Sequence, residues 1–157
     1  MKKPFSKLLA LFLALTVFLM PLSACGRNRE AEELIKRFES ACQELNADEI
    51  LNCFNPRVTN PIKSVLGILG VDSLNQIVSG LADIWGVIDF TSSTPREILK
   101  TLTIKTEKFV NSENGGKCDV NAVFRYTDGN KTVVETVVIN CVKGSEGWYI
   151  GSIKAGE

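Results

Sequence analysis

Histidine is absent from all 157 residues, and Trp, Tyr and Met occur only twice each. Without His the chain lacks the commonest general base and metal ligand near neutral pH, and with it the usual Ser–His, Cys–His and zinc–His arrangements. No excess of one charge exists either: 18 basic residues face 18 acidic ones, and no long basic run marks a nucleic-acid binder. Missing too are a nucleophile elbow, a phosphate-binding glycine loop and a metal loop. No cofactor and no metal is therefore expected, and an enzyme is the least favoured class.

What is present begins at the N-terminus. Met1 to Lys7 is basic, with Lys2, Lys3 and Lys7, and is followed by an uncharged apolar run from Leu8 to Met20 that Pro21 ends. Those thirteen residues fall short of the about 20 needed to span a bilayer as a helix, so the segment reads as a removable export signal. Leu22-Ser23-Ala24-Cys25 follows directly. Small residues before a cysteine at this place resemble the lipobox of bacterial lipoproteins. That resemblance implies cleavage before Cys25 and acylation of its thiol, which would hold the protein on the bilayer at the extracytoplasmic face of the cell membrane. An ordinary secretory signal with a chance cysteine is the alternative.

Cleavage leaves 133 residues, enough for one domain with a real core. It also removes three Lys, leaving 15 basic and 18 acidic groups and a net charge of about −3. The domain organisation is then a leader over 1–24, the acylated cysteine and tether over 25–29, and one α+β domain over 30–157. Cys42, Cys53, Cys118 and Cys141 remain, an even number in an exported chain. Cys118 opens one predicted strand and Cys141 closes the next, so the two are expected opposite each other. Cys42 and Cys53 lie on consecutive predicted helices and are the other expected pair; four free, buried thiols are the alternative. Zinc is disfavoured by the spacings and the lack of His.

Along the chain a helical half precedes a strand-rich half. Ala31, Leu34, Ile35, Phe38, Ala41, Cys42 and Leu45 recur at helical steps, and Asn46 with Glu49 resembles a capping box for a second short helix ending before Asn55-Pro56. An apolar helical insertion is expected over about 61–90, opened by Asn60-Pro61 and dominated by the stripe through Trp85. Core packing is the plain account of Trp85, and a ligand-lining lid the alternative. After the polar stretch Thr91 to Pro95 the period changes to that of strands. These are predicted from Ile98 to Val110, from Cys118 to Tyr126, from Thr132 to Cys141 and from Trp148 to Ile153, joined by Gly- and Asn-rich turns. The fold class expected is α+β, N-terminal helices packed on a curved antiparallel sheet of three to four strands.

This order of parts, with Asn46-Ala47-Asp48 between the first helices and Gly147-Trp148-Tyr149-Ile150 at the last strand, is similar to the nuclear-transport-factor-2-like, or cystatin-like, cone carried by small bacterial lipoproteins. The resemblance implies a concave pocket between sheet and helices. Trp85, Phe124, Tyr126 and Glu135 are the residues expected to line it. Glu135, between Val133 and Val137, is a polar residue on the apolar parity and the one weak catalytic candidate; pairing with Arg125 at the surface is its plainer reading.

Three functions follow, in order of preference. First is a tethered, non-catalytic binding module for a small apolar ligand, a peptide or an envelope partner. Second is a structural protein with a filled cone and a homodimer through the sheet face, and third is a cone enzyme using Glu135. The address is testable by itself: Cys25→Ala should move the protein from the membrane fraction to the soluble fraction on cell fractionation, and unchanged membrane association would refute the assignment of Cys25 as the anchor.

Overall fold

The computed structural model describes residues 28–57, 59–60 and 94–157. Cys25, the leader, the apolar insertion about 61–90 and Trp85 lie outside the described residues. Helix α1 spans Arg29–Gln43, its N-terminus capped by the Asn28 side chain accepting from the Ala31 N–H at 3.1 Å. Its buried stripe is the expected one, from Ala31 through Phe38 to Cys42. Glu30 and Glu32 stand in the first turn, where the helix dipole favours them.

Leu45 then turns the chain in the left-handed region, at φ 56°, with the Asn46 N–H returning to the Ala41 carbonyl at 2.9 Å. A non-glycine residue there costs about 1–2 kcal/mol, and packing of the Leu45 side chain against the core offsets it. Helix α2, Ala47–Cys53, starts at once, with the Asn46 side chain accepting from the Glu49 N–H at 3.1 Å. Only half of the expected capping box forms, because the Glu49 carboxylate is taken by Arg37 of α1.

Helix α3, Pro95–Thr101, corrects the expected strand start at Ile98. Thr94-Pro95-Arg96-Glu97 is itself a helix-start signal: Pro95 sits in the first turn, and the Glu97 carboxylate accepts from both the Thr94 N–H at 3.1 Å and its hydroxyl at 3.0 Å. Strand β1 therefore begins only at Thr103 and runs Thr103–Asn111. A bulge between Thr106 and Lys108 switches its parity, so Ile104 and Phe109 face inward while Val110 is 49% exposed.

Strands β2 (Lys117–Asp128), β3 (Lys131–Lys143) and β4 (Trp148–Ala155) complete one antiparallel sheet in the order β1-β2-β3-β4. The fold is thus α+β, helices on one face of a four-stranded antiparallel sheet. The β2–β3 hairpin is tight: Asp128 pairs with Lys131, leaving Gly129-Asn130 at the turn with Gly129 at φ 61°. Between helices and sheet the interior is filled. Phe38, Phe54 and Phe124 are each at most 1% exposed, and the first two meet edge to face at 5.6 Å. Gln43 donates to the Leu102 carbonyl at 2.7 Å, and Glu39 accepts from the Ile104 N–H at 3.2 Å, tying α1 to the entry of β1. Among the described residues the buried apolar ones fall between Ala31 and Ile153, so a chain starting at residue 26 keeps the whole described core.

The four cysteines are buried and free in this structure, so the expected disulfides are not formed here. Their neighbourhoods are nevertheless those expected. Cys118 stands directly opposite Cys141, and Cys42 and Cys53 are close enough for the charge of one thiolate to act on the other. Burial pushes the Cys53 thiol up to about 11 and the Cys141 thiol up to about 12, from an ordinary value of 9.0. A folded value above the unfolded one gives stability that is complete below the unfolded pKa and lost as pH rises above it. Melting temperature should therefore fall between about pH 9 and 11, by about 1.4 kcal/mol of stability per pH unit and buried thiol. The decline should be shallower in Cys141→Ala than in the parent when both are followed by thermal unfolding, and equal slopes would contradict the burial.

Candidate binding pocket

A cavity of about 410 Å³ opens beside the filled interior, where the two N-terminal helices meet the start of β4. Such a volume is that of a small-ligand site. Arg37 of α1 and Leu51 and Asn52 of α2 form one wall. Phe54, Pro56, Thr59 and Asn60 after α2, and Glu146, Gly147, Trp148 and Tyr149 at the start of β4, complete the lining.

Each wall is placed by a local reason. After α2 the chain extends and pairs with β4 through a Phe54 to Ile150 bridge, with the Asn55 N–H donating to the Ile150 carbonyl at 3.2 Å. Asn55 then turns the backbone, its side chain accepting from the Arg57 N–H at 3.0 Å and its carbonyl from the Thr59 N–H at 3.2 Å. On the other side the Gly144 N–H donates to the Gly147 carbonyl at 2.7 Å, closing the turn before β4. Gly147 lies at φ 141°, a conformation nearly restricted to glycine. Trp148 is held by its indole N–H donating to Glu30 at 2.9 Å, across the sequence from β4 to the first turn of α1.

Electrostatically the wall is a neutralised pair. Arg37 donates to Glu49; that bond raises the guanidinium further and holds the Glu49 carboxyl below its usual range, with Asn52 adding a hydrogen bond to the same carboxylate. A carboxylate so stabilised in its charged form is a poor general base. The lining offers amides, a hydroxyl, a guanidinium, the Glu146 carboxylate and aromatic residues. Among the described residues no group of three or more Cys, Asp or Glu is arranged to hold a metal ion.

Of the sequence-predicted pocket residues, Trp85 lies outside the described residues, and Phe124, Tyr126 and Glu135 do not line this cavity. Phe124 is 1% and Tyr126 2% exposed, both inside the packed core, and neither lines the cavity. Glu135 faces the core side of the sheet near the β2–β3 turn and accepts from the Tyr126 hydroxyl at 3.1 Å. The proposed partner Arg125 points to the other face, since its register mate is Val134 and not Glu135. The second Glu135 oxygen is buried without a hydrogen-bond partner. Residues that do line the cavity, Asn52, Thr59, Asn60 and Glu146, are scattered polar positions with no shared periodicity; only Gly147-Trp148-Tyr149 could have signalled it.

No family model matches the chain, and no curated protein matches it. Among solved structures, the solution structure of a SEC-C motif-containing protein from Rhodopseudomonas palustris is similar, with a TM-score of 0.51 and 13% identity over 79% of this chain and 77% of that one. At that identity the likeness concerns the fold alone. It corrects the expected membership of the nuclear-transport-factor-2-like, or cystatin-like, lipoproteins: the fold match points to another protein. The expectation rested on an order of helices and hairpins, a pattern that unrelated α+β sheets share.

The Tyr126–Glu135 contact gives a test of the core-facing geometry. Tyr126→Phe leaves a buried carboxylate with neither oxygen bonded and should cost about 1–3 kcal/mol in urea unfolding. Glu135→Gln keeps an acceptor for the hydroxyl and should change stability by less than the Tyr126 variant. The reverse order would contradict the contact.

Proposed function

We propose that the chain is a non-catalytic binding module, held at the outer surface of a cell membrane through Cys25, that takes a small polar ligand with a flat face into the cavity between α1, α2 and β4. The observation that carries the reading is the cavity itself: about 410 Å³, with the aromatic residues Trp148 and Tyr149 and the polar residues Arg37, Asn52 and Asn60 in its lining. Rings supply area, and convergent amides and guanidinium supply orientation, the division of labour usual in small-ligand sites. Polar lining replaces the apolar ligand expected from sequence with a hydrogen-bonding one.

The membrane address rests on the basic segment, the apolar run and Cys25. Within the described residues no helix is long and apolar enough to cross a membrane. A second reading, a structural protein, is favoured by one observation: the space between helices and sheet is occupied by the protein's own Phe38, Phe54 and Phe124.

Native mass spectrometry of a chain starting at residue 26, exported and purified without denaturant, tests the binding reading. A retained mass of a few hundred daltons is expected, reduced at least tenfold in occupancy by Tyr149→Ala. A ligand-free monomer, in the parent and after addition of cell-envelope extract, would overturn it, and a ligand-free dimer would favour the structural reading.

A further inference from the structure

The register that buries one face of the sheet exposes the other, and the exposed face is sorted by charge. Directly paired positions place Lys105 beside Val123, Lys108 beside Asn121, Lys117 beside Val142, Arg125 beside Val134 and Lys154 beside Val138, all on the side away from the helices. All five cations are exposed. Against them the same paired positions set one acid, Asp119, which already accepts from Asn140 at 2.6 Å; Glu107 is exposed at the bulge. The two N-terminal helices on the other side are the reverse, while α3 carries Arg96 and Lys100 against Glu97. From Arg29 to Cys53 seven acids stand against three bases, Arg29, Lys36 and Arg37. The domain therefore has a cationic sheet face and an anionic face on its two N-terminal helices, a separation that the balance of 18 basic and 18 acidic residues in the full sequence conceals.

Apolar exposure is on the cationic side as well. Among the described residues, the exposed large hydrophobic ones are Val110, 49% exposed, and Val134, 53% exposed. Val110 is the register partner of Asp119, two positions from Lys108, and Val134 is the partner of Arg125. The chain also enters the domain at this sheet: Asn28, three residues after Cys25, donates its amide to Asn111 at the end of β1 at 3.0 Å. Three residues reach at most about 11 Å, so an acylated Cys25 would bring the end of the sheet carrying Val110 and Lys117 to the headgroups.

We infer that the open face of the sheet, through Lys105, Lys108, Lys117, Arg125 and Lys154 with Val110 and Val134 between them, docks on an anionic lipid bilayer. This inference rests on the membrane address proposed for Cys25. One lipid anchor combined with a cationic patch is the arrangement that converts marginal, reversible membrane binding into stable binding. Docking by this face turns the acidic helices away from the anionic surface, so the molecule would be oriented as well as held.

The test uses a chain starting at residue 26, which lacks the acylation site, so that its result is independent of the anchor. Co-sedimentation is measured with vesicles of phosphatidylcholine alone and with vesicles containing phosphatidylglycerol, at low and at high salt. At least tenfold stronger binding to the anionic vesicles is expected, falling as salt screens the charges. The triple variant Lys105→Glu, Lys108→Glu, Lys154→Glu should abolish it, while Arg29→Glu, Lys36→Glu and Lys100→Glu together, the same charge change on the helical side, should retain most of it. Equal binding to both vesicle types, equal loss in both triple variants, or a dimer broken by the first variant without vesicle binding would overturn the inference. Release of the full chain by Cys25→Ala decides the anchor separately, so failure of the address and failure of the docking face are read from different experiments.

Discussion

The β2–β3 ladder is the constraint from which the rest of the structure follows. Twelve residue pairs run without a shift from Lys117 and Val142 to Asp128 and Lys131. Every pair has a side, and a slip of one residue would exchange the sides. In the register that forms, Cys118, Val120, Ala122, Phe124 and Tyr126 meet Cys141, Ile139 and Val137 under the helices. Lys117, Arg125 and Val134 go to the open face in the same act. Helix packing, thiol burial, the isolation of Glu135 and the cationic sheet surface are consequences of that one alignment.

Because the helix side of the sheet is filled by the protein's own aromatic rings, recognition moves to the margins. The cavity lies where α2 ends and β4 begins, at a junction that the Phe54–Ile150 bridge holds together and Trp148 pins to Glu30. There, among the described residues, polar side chains line an opening, with Arg37 of its wall bonded to Glu49. A closed interior with a lateral polar site is physically coherent: burying polar lining groups in the middle of the sheet would require partners for each of them.

Much of this was legible in the residues. Helical spacing from Ala31 to Cys42, the Asn46 cap and the alternation from Cys118 to Tyr126 located three elements close to their observed limits. The opposition of Cys118 and Cys141 was legible too. Thr94-Pro95-Arg96-Glu97 was equally readable as a helix start, but the apolar Ile98, Leu99 and Leu102 fit a strand nearly as well, and a short apolar run does not choose by periodicity. The bulge at Thr106/Lys108 left no sequence mark that would move Val110 outward. The cavity was unreadable for another reason: its walls come from Arg37, Asn52, Asn60 and Tyr149, residues brought together by tertiary structure alone. Charge separation was hidden in the same way, since lysines alternating along a strand look like ordinary solvation until the register shows that they share a face.

Amide hydrogen exchange on the chain starting at residue 26 tests the closed interior most directly. The account predicts that the amides of Val120 to Phe124 and of Val137 to Cys141 exchange slowest, only through global unfolding, while those of Arg57, Thr59 and Asn60 and of the turn before Trp148 exchange through small local openings. Rapid local exchange in the β2–β3 ladder, with slow exchange around Trp148, would contradict it and return the binding site to the space between sheet and helices.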